Sequence, residues 1–147
     1  MHVYAAAGAG FLIAVLWFDL MFDVQAGRPG ALVAPDALAS ISAYYRRVTT
    51  EASPMGRLVA LVMLATVAAI VAGLALGQTR LLTGLTSLGA ALIGMGLARV
   101  RTIPAAVRLG RAADPPDVMT RLARQTLLDH RISLAAMALV LVLQLAA

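Results

Sequence analysis

Four long apolar runs, residues 3–22, 57–76, 81–98 and 127–145, dominate this chain. Each holds about 20 residues, and a helix rising about 1.5 Å per residue then crosses a hydrocarbon core of about 30 Å. The predicted fold class is therefore all-α: an integral membrane four-helix bundle occupying residues 1–147 as one transmembrane domain. Composition agrees. Charged residues make up 13% of the chain, where soluble domains average about 25%. That leaves too little polar surface to cover a water-soluble globule, so most of the apolar surface is expected to face lipid.

Cysteine is absent, which removes disulfides, thiolate metal sites and thiol redox chemistry. The two histidines, His2 and His130, fall at opposite ends of the expected bundle, an arrangement unsuited to a bis-histidine haem. No metal and no cofactor is expected. The first run begins without a basic region and ends in acids rather than a small-residue cleavage site. It reads as a retained span rather than a signal peptide.

All twelve basic residues are arginine, and eleven of them lie in or beside the connections 1–2 and 3–4. Only Arg80, in the tight 2–3 connection, is on the other side. The positive-inside rule makes the arginine-rich side cytoplasmic, with both termini outside. The net charge of +5 thus reads as a topology signal, with no nucleic-acid partner implied. The expected location is the cytoplasmic (cell inner) membrane, multi-pass.

Residues 36–52 read as a cytoplasmic amphipathic helix between spans 1 and 2. Leu38, Ile41, Tyr45 and Val48 recur at helical spacing, with Arg46, Arg47 and Glu51 turned away. Tyr44, Tyr45, Arg46 and Arg47 are expected at the membrane interface. Ser53-Pro54 is a predicted helix restart, and Asp114-Pro-Pro-Asp117 a helix start with Asp114 as N-cap. From there one helix reaches residue 145, about 45 Å long, with its first turns outside the bilayer. Pro104 predicts a kinked extension of span 3 carrying Arg101, Arg108 and Arg111. The four residues 77–80 make spans 2 and 3 an antiparallel hairpin. Small-residue stripes (Ala65, Ala69, Gly73 and Gly77; Ala90, Gly94 and Ala98; Ala6, Gly10 and Ala14) suit close helix packing in lipid, within the bundle or against a second copy or partner subunit.

The candidate site starts from Leu16-Trp-Phe-Asp-Leu-Met-Phe-Asp23. Asp19 and Asp23 share a helix face, and Asp19 lies about one turn inside the apolar zone. An unpaired carboxylate there costs on the order of 3 kcal/mol, so partners are expected at the same depth. The predicted cluster is Asp19, Asp23, Arg99, His130 and Arg131, roofed by Tyr44, Tyr45, Arg46 and Arg47. Asp129, adjacent to His130, points elsewhere on its helix. The cluster reads either as ion pairs fixing helix register or as a ligand or proton site; the spacing needed for a nucleophilic triad, a phosphate loop or a metal is missing. Arg108, Arg111, Arg121 and Arg124 offer a surface for anionic headgroups, or serve topology alone.

The segment Arg101-Thr-Ile-Pro-Ala-Ala-Val-Arg108, followed by a Pro-containing linker and His130-Arg131 opening the last span, resembles a group of small four-span membrane proteins that includes anthrone-oxygenase-like proteins. A polar segment after span 3 and a His–Arg region before span 4 recur there. The resemblance covers spans 3 and 4. It departs in lacking a Trp before the His region and an Asn after span 3. It implies the four-span fold and cofactor-free oxygenation of a hydrophobic aromatic.

Three functions follow as expectations. The first is binding of a lipid or hydrophobic small molecule, or a role as a membrane partner subunit. The second is a proton-coupled small transporter using Asp19. The third is a cofactor-independent oxygenase-like enzyme with His130 as base and Arg99 or Arg131 binding an anionic intermediate, which requires an apolar pocket over that ring.

Overall fold

The computed structural model describes the chain apart from Ala52 and the side chains of Ser53 and Pro54. A helix does begin at Ser53, as expected for the restart at Ser53-Pro54, while the predicted capping by Ser53 rests on a side chain outside the described residues. Among those described the regular structure is all helix, in six α-helices: α1 (His2–Asp23), α2 (Pro35–Arg46), α3 (Ser53–Ala75), α4 (Leu81–Leu97), α5 (Ile103–Arg111) and α6 (Pro116–Leu145). Four helical stretches are long and apolar enough to cross a membrane: His2–Gly27, Met55–Ala75, Leu81–Arg111 and Pro116–Leu145.

Helix α6 is the spine, packed along α1 and α4, while α3 closes the bundle against the same two helices. Ala5, Ala9 and Leu12 of α1, Ile70 of α3, Ala90 and Ala91 of α4, and Met137 and Val140 of α6 form the apolar core. The small stripes are used selectively. Ala6, Ala90, Gly73 and Gly94 are buried, but Ala14 and Ala65 are exposed, because the α1 and α3 faces that meet are centred on Ala5, Ala9, Thr66 and Ile70. The outward faces carry Leu61, Leu64, Leu82 and Val142.

The turn between α3 and α4 has a local cause. The amide of Gln78 donates to the carbonyl of Gly73 at 2.9 Å and that of Gly77 to Leu74 at 3.1 Å, the paired bonds of a Schellman motif. Gly77 sits at φ +65, where any side chain is strained.

A second core stands at the other end. Ala37, Ile41 and Tyr45 of α2 pack on Ala106 and Leu109 of α5 and on Met119 and Ala123 of α6. Burying a side chain such as Ile41 from water stabilises by roughly 1.5–3 kcal/mol, which explains why α2 docks here. The predicted helix 36–52 stops at Arg46 and widens into a π turn, Arg47–Glu51, where Thr49 Oγ1 donates to the Tyr45 carbonyl at 2.6 Å. Span 3 likewise passes through a π turn, Ala98–Thr102, and continues directly into α5 with Pro104 in its first turn; proline brings no N–H for the preceding turn, and a widened turn is where a helix accommodates that.

Asp114 is not an N-cap. It accepts two hydrogen bonds from the Arg108 guanidinium, at 3.0 and 2.9 Å, and α6 starts at Pro116 after Pro115. Asp117 instead pairs one turn ahead with Arg121 at 2.8 Å. Arg124 holds the turn after α1 through the carbonyls of Ala26 (3.4 Å) and Gly30 (2.7 Å). Three of the four arginines offered for headgroups thus have partners within the chain.

Candidate functional site

Asp19 and Asp23 leave the last turns of α1 on one face, and α6 passes that face with His130. Asp23 is fully buried. One of its oxygens takes the His130 Nδ1 side at 2.6 Å and the other accepts the Tyr45 hydroxyl at 2.7 Å. An ionised carboxylate only accepts, so in that state Nδ1 carries the hydrogen. The other ring nitrogen, Nε2, stands 3.7 Å from Asp19 Oδ2, beyond hydrogen-bond range. Asp19 Oδ1 accepts the Tyr44 hydroxyl at 2.5 Å.

Two consecutive tyrosines of α2 therefore serve two carboxylates one turn apart on α1. Tyr44 is set by stacking on Phe22, with centroids 4.2 Å apart and rings 8° from parallel. Burial pushes both phenols above their ordinary range, and the neighbouring carboxylates push the same way, so both act as neutral donors.

The structure brings together Asp19, Asp23 and His130 of the predicted cluster. It leaves Arg99 and Arg131 exposed, with no carboxylate in salt-bridge range among the described residues. The guanidinium that turns inward is Arg101, which reaches Asp129 at 3.1 Å. The contact is close but misaligned. Asp129 is completely buried and neither of its oxygens receives a hydrogen bond among the described residues, so the pair is held by charge. The π turn decides this, since one wider turn rotates every later side chain of span 3 relative to a regular helix.

Of the four residues expected at the interface, Tyr44, Tyr45 and Arg46 have defined partners within the chain. Tyr45 is 2% exposed and belongs to the second core, while Tyr44 is half-buried as a hydrogen-bond donor. Arg46 and Arg47 are exposed, and Arg46 Nε donates to the Gly110 carbonyl at 3.2 Å. Gly110 allows α5 to lie against the α2 backbone: a Cβ there would stand 2.8 Å from the Arg46 nitrogen.

Between the two cores lies a half-open cavity of about 530 Å³. Its wall is apolar for most of its extent, with Leu12, Leu16, Val59, Met63, Ala106 and Met137. Asp19, Tyr44, Tyr45, His130 and Ser133 give it a polar end, and no arginine lines it. Asp23 lies behind His130, outside the lining. Among the described residues no three ligating side chains form a metal site.

Sequence reading missed a polar group at the opposite end. His2 Nδ1 lies 3.3 Å from Gln144 Oε1, and Gln144 Nε2 donates to the buried Ser87 hydroxyl at 3.0 Å. A lone Gln in the last turn of an apolar run was the available signal.

The chain matches no family model, no curated protein and no solved structure.

Proposed function

We propose that this chain is a multi-pass protein of the cytoplasmic membrane that binds a hydrophobic small molecule or lipid-like ligand in the cavity between its two cores. The arginine-rich connections put the polar end of that cavity toward the cytoplasm under the positive-inside rule. One observation carries the reading: an apolar cavity of about 530 Å³ with a small convergent polar group. Ligand sites typically span about 300–1,000 Å³ and combine these two features. A helix bundle needing only ion pairs for register has no use for such a space.

The test is binding of a neutral hydrophobic probe, 1-naphthylmethanol, to the detergent-purified chain. Saturable binding that is lost in Ala60→Trp, which fills the cavity from its rim on α3, is the expected result. Unchanged affinity in that variant rules the reading out. Native mass spectrometry from mild detergent would show any co-purifying ligand and the number of subunits.

A second reading, cofactor-independent acid–base chemistry, is favoured by the Asp23–His130 bond, which presents Nε2 to the cavity as a base. Arg99 and Arg131, the expected anion-binding groups, stand outside the wall. Oxygen uptake with a hydrophobic anthrone that survives His130→Gln unchanged would eliminate it.

A further inference from the structure

Two atoms on the cavity wall have no hydrogen-bond partner among the described residues: His130 Nε2 and Asp19 Oδ2. With Nδ1–H given to Asp23, Nε2 presents a lone pair, so two acceptors face each other across 3.7 Å. A side chain that is nine-tenths buried thus points an unused acceptor into an apolar space. What fits between two acceptors is a donor.

Charge selects the kind of donor. The titratable groups around this point are Asp19 and Asp23 of α1, Tyr44 and Tyr45 of α2, and His130 and Asp129 of α6. Helices α3, α4 and α5 and both π turns contribute no charged side chain to the wall. Asp129 is matched by Arg101. Even an imidazolium at His130 would leave one carboxylate charge of Asp19 and Asp23 unbalanced. An anionic headgroup would meet Asp19 with no arginine to receive it. A neutral ligand would supply a donor and leave the charge standing in an apolar wall, where an unbalanced ion is costly. A cation supplies both, and Phe18 and Tyr44 add aromatic carbon beside Asp19.

We infer that the cavity selects an organic cation: a protonated amine on an apolar body, whose N–H groups bridge Asp19 Oδ2 and His130 Nε2 in place of a proton. This rests on the cavity being a ligand site. Because amine and proton compete for the same two acceptors, acidification weakens amine binding, by up to about tenfold per pH unit for one exchanged proton. Exchange of a cation for a proton at one buried site is also the elementary step a proton-coupled carrier needs.

Three probes with one apolar body separate the possibilities: 1-naphthylmethylammonium, 1-naphthylmethanol and 1-naphthoate, titrated by fluorescence against the purified full chain. The ammonium is expected to bind at least tenfold more tightly than the alcohol at pH 8, with the gap narrowing toward pH 6, and the carboxylate most weakly. Asp19→Asn is expected to abolish the gap and keep alcohol binding. An ammonium no tighter than the alcohol in the unaltered protein, or a carboxylate that binds best, overturns the inference while the cavity reading stands. If none of the three binds, the cavity reading falls as well. The headgroup comparison uses unaltered protein, so it does not depend on the variant folding.

Discussion

Asp23 and His130, 107 positions apart in sequence, meet at 2.6 Å, and this bond fixes the ring that faces the cavity. Tyr45 completes the arrangement from a third helix by holding the other oxygen of Asp23. The site is thus built by two consecutive α-helices, α1 and α2, and by α6, far from both in sequence.

Tyr45→Phe removes one hydrogen bond from a fully buried carboxylate. Bonds to charged groups contribute about 1.5–3 kcal/mol, and the loss is expected near that range in detergent unfolding. Tyr44→Phe, at a half-buried position beside a partly accessible carboxylate, is expected to cost less. Equal costs would show that the two carboxylates do not differ in burial as described.

Alkaline pH offers an independent reading of the same tyrosines. The chain has no lysine or cysteine, so titration above pH 9 reports largely on tyrosine. Both phenols are raised in the folded state, and an unfolded tyrosine ionises near pH 10. Their protonated forms favour the fold fully below pH 10, and that contribution is lost as pH rises above it. Stability should fall from about pH 10 upward, and the fall should be smaller in the Tyr44→Phe, Tyr45→Phe double variant. A fall of the same size in the double variant would assign it elsewhere.

Gly110→Ala places a Cβ 2.8 Å from the Arg46 nitrogen and 2.9 Å from the Tyr45 carbonyl carbon. Backbone cannot yield as a side chain does, so α5 must move from α2, at an expected cost of about 1–3 kcal/mol. Because Tyr45 belongs to the displaced segment, ligand binding should weaken too. Gly89→Ala, with open space around its Cβ, is the control and is expected to be neutral or stabilising by up to about 1 kcal/mol. Thermal unfolding of the two variants side by side decides it.

Arg101→Ala leaves Asp129 buried without its counter-charge. Breaking a fully buried pair costs about 3–5 kcal/mol, and the half-exposed arginine reduces this to an expected 1–2 kcal/mol. Adding Asp129→Asn should recover most of the loss. A double variant no more stable than Arg101→Ala would mean that the pair is not coupled.

Much of the fold could be read from the chain because long apolar helices announce themselves locally. Length and hydropathy located the four spans, four residues forced the 2–3 hairpin, and one helix does run through to Leu145. The partners of Asp19 and Asp23 were only half legible. Depth alone placed His130 beside them, since antiparallel spans bring residues at equal depth to one level. Depth does not give rotation, and rotation is what separates Arg99 and Arg131 from Arg101. On span 3 that angle was set by the π turn Ala98–Thr102, which ends just before Pro104, while Arg131 lies on the exposed face of the regular helix α6. Tyr44 and Tyr45 read as interfacial because their sequence shows amphipathicity without saying what the apolar face meets.

From the chain alone came four helices long and apolar enough to cross a membrane, and two carboxylates one turn apart in an apolar stretch where they need company. Backbone hydrogen bonding and side-chain hydropathy act over a few residues, so a linear reading captures them. Tertiary structure alone decided that α2 turns its tyrosines onto α1, that His130 leaves Nε2 facing Asp19, and that a cavity remains between two cores. Those outcomes depend on helix rotation and on packing between distant segments, where an added residue in one turn redirects every side chain beyond it.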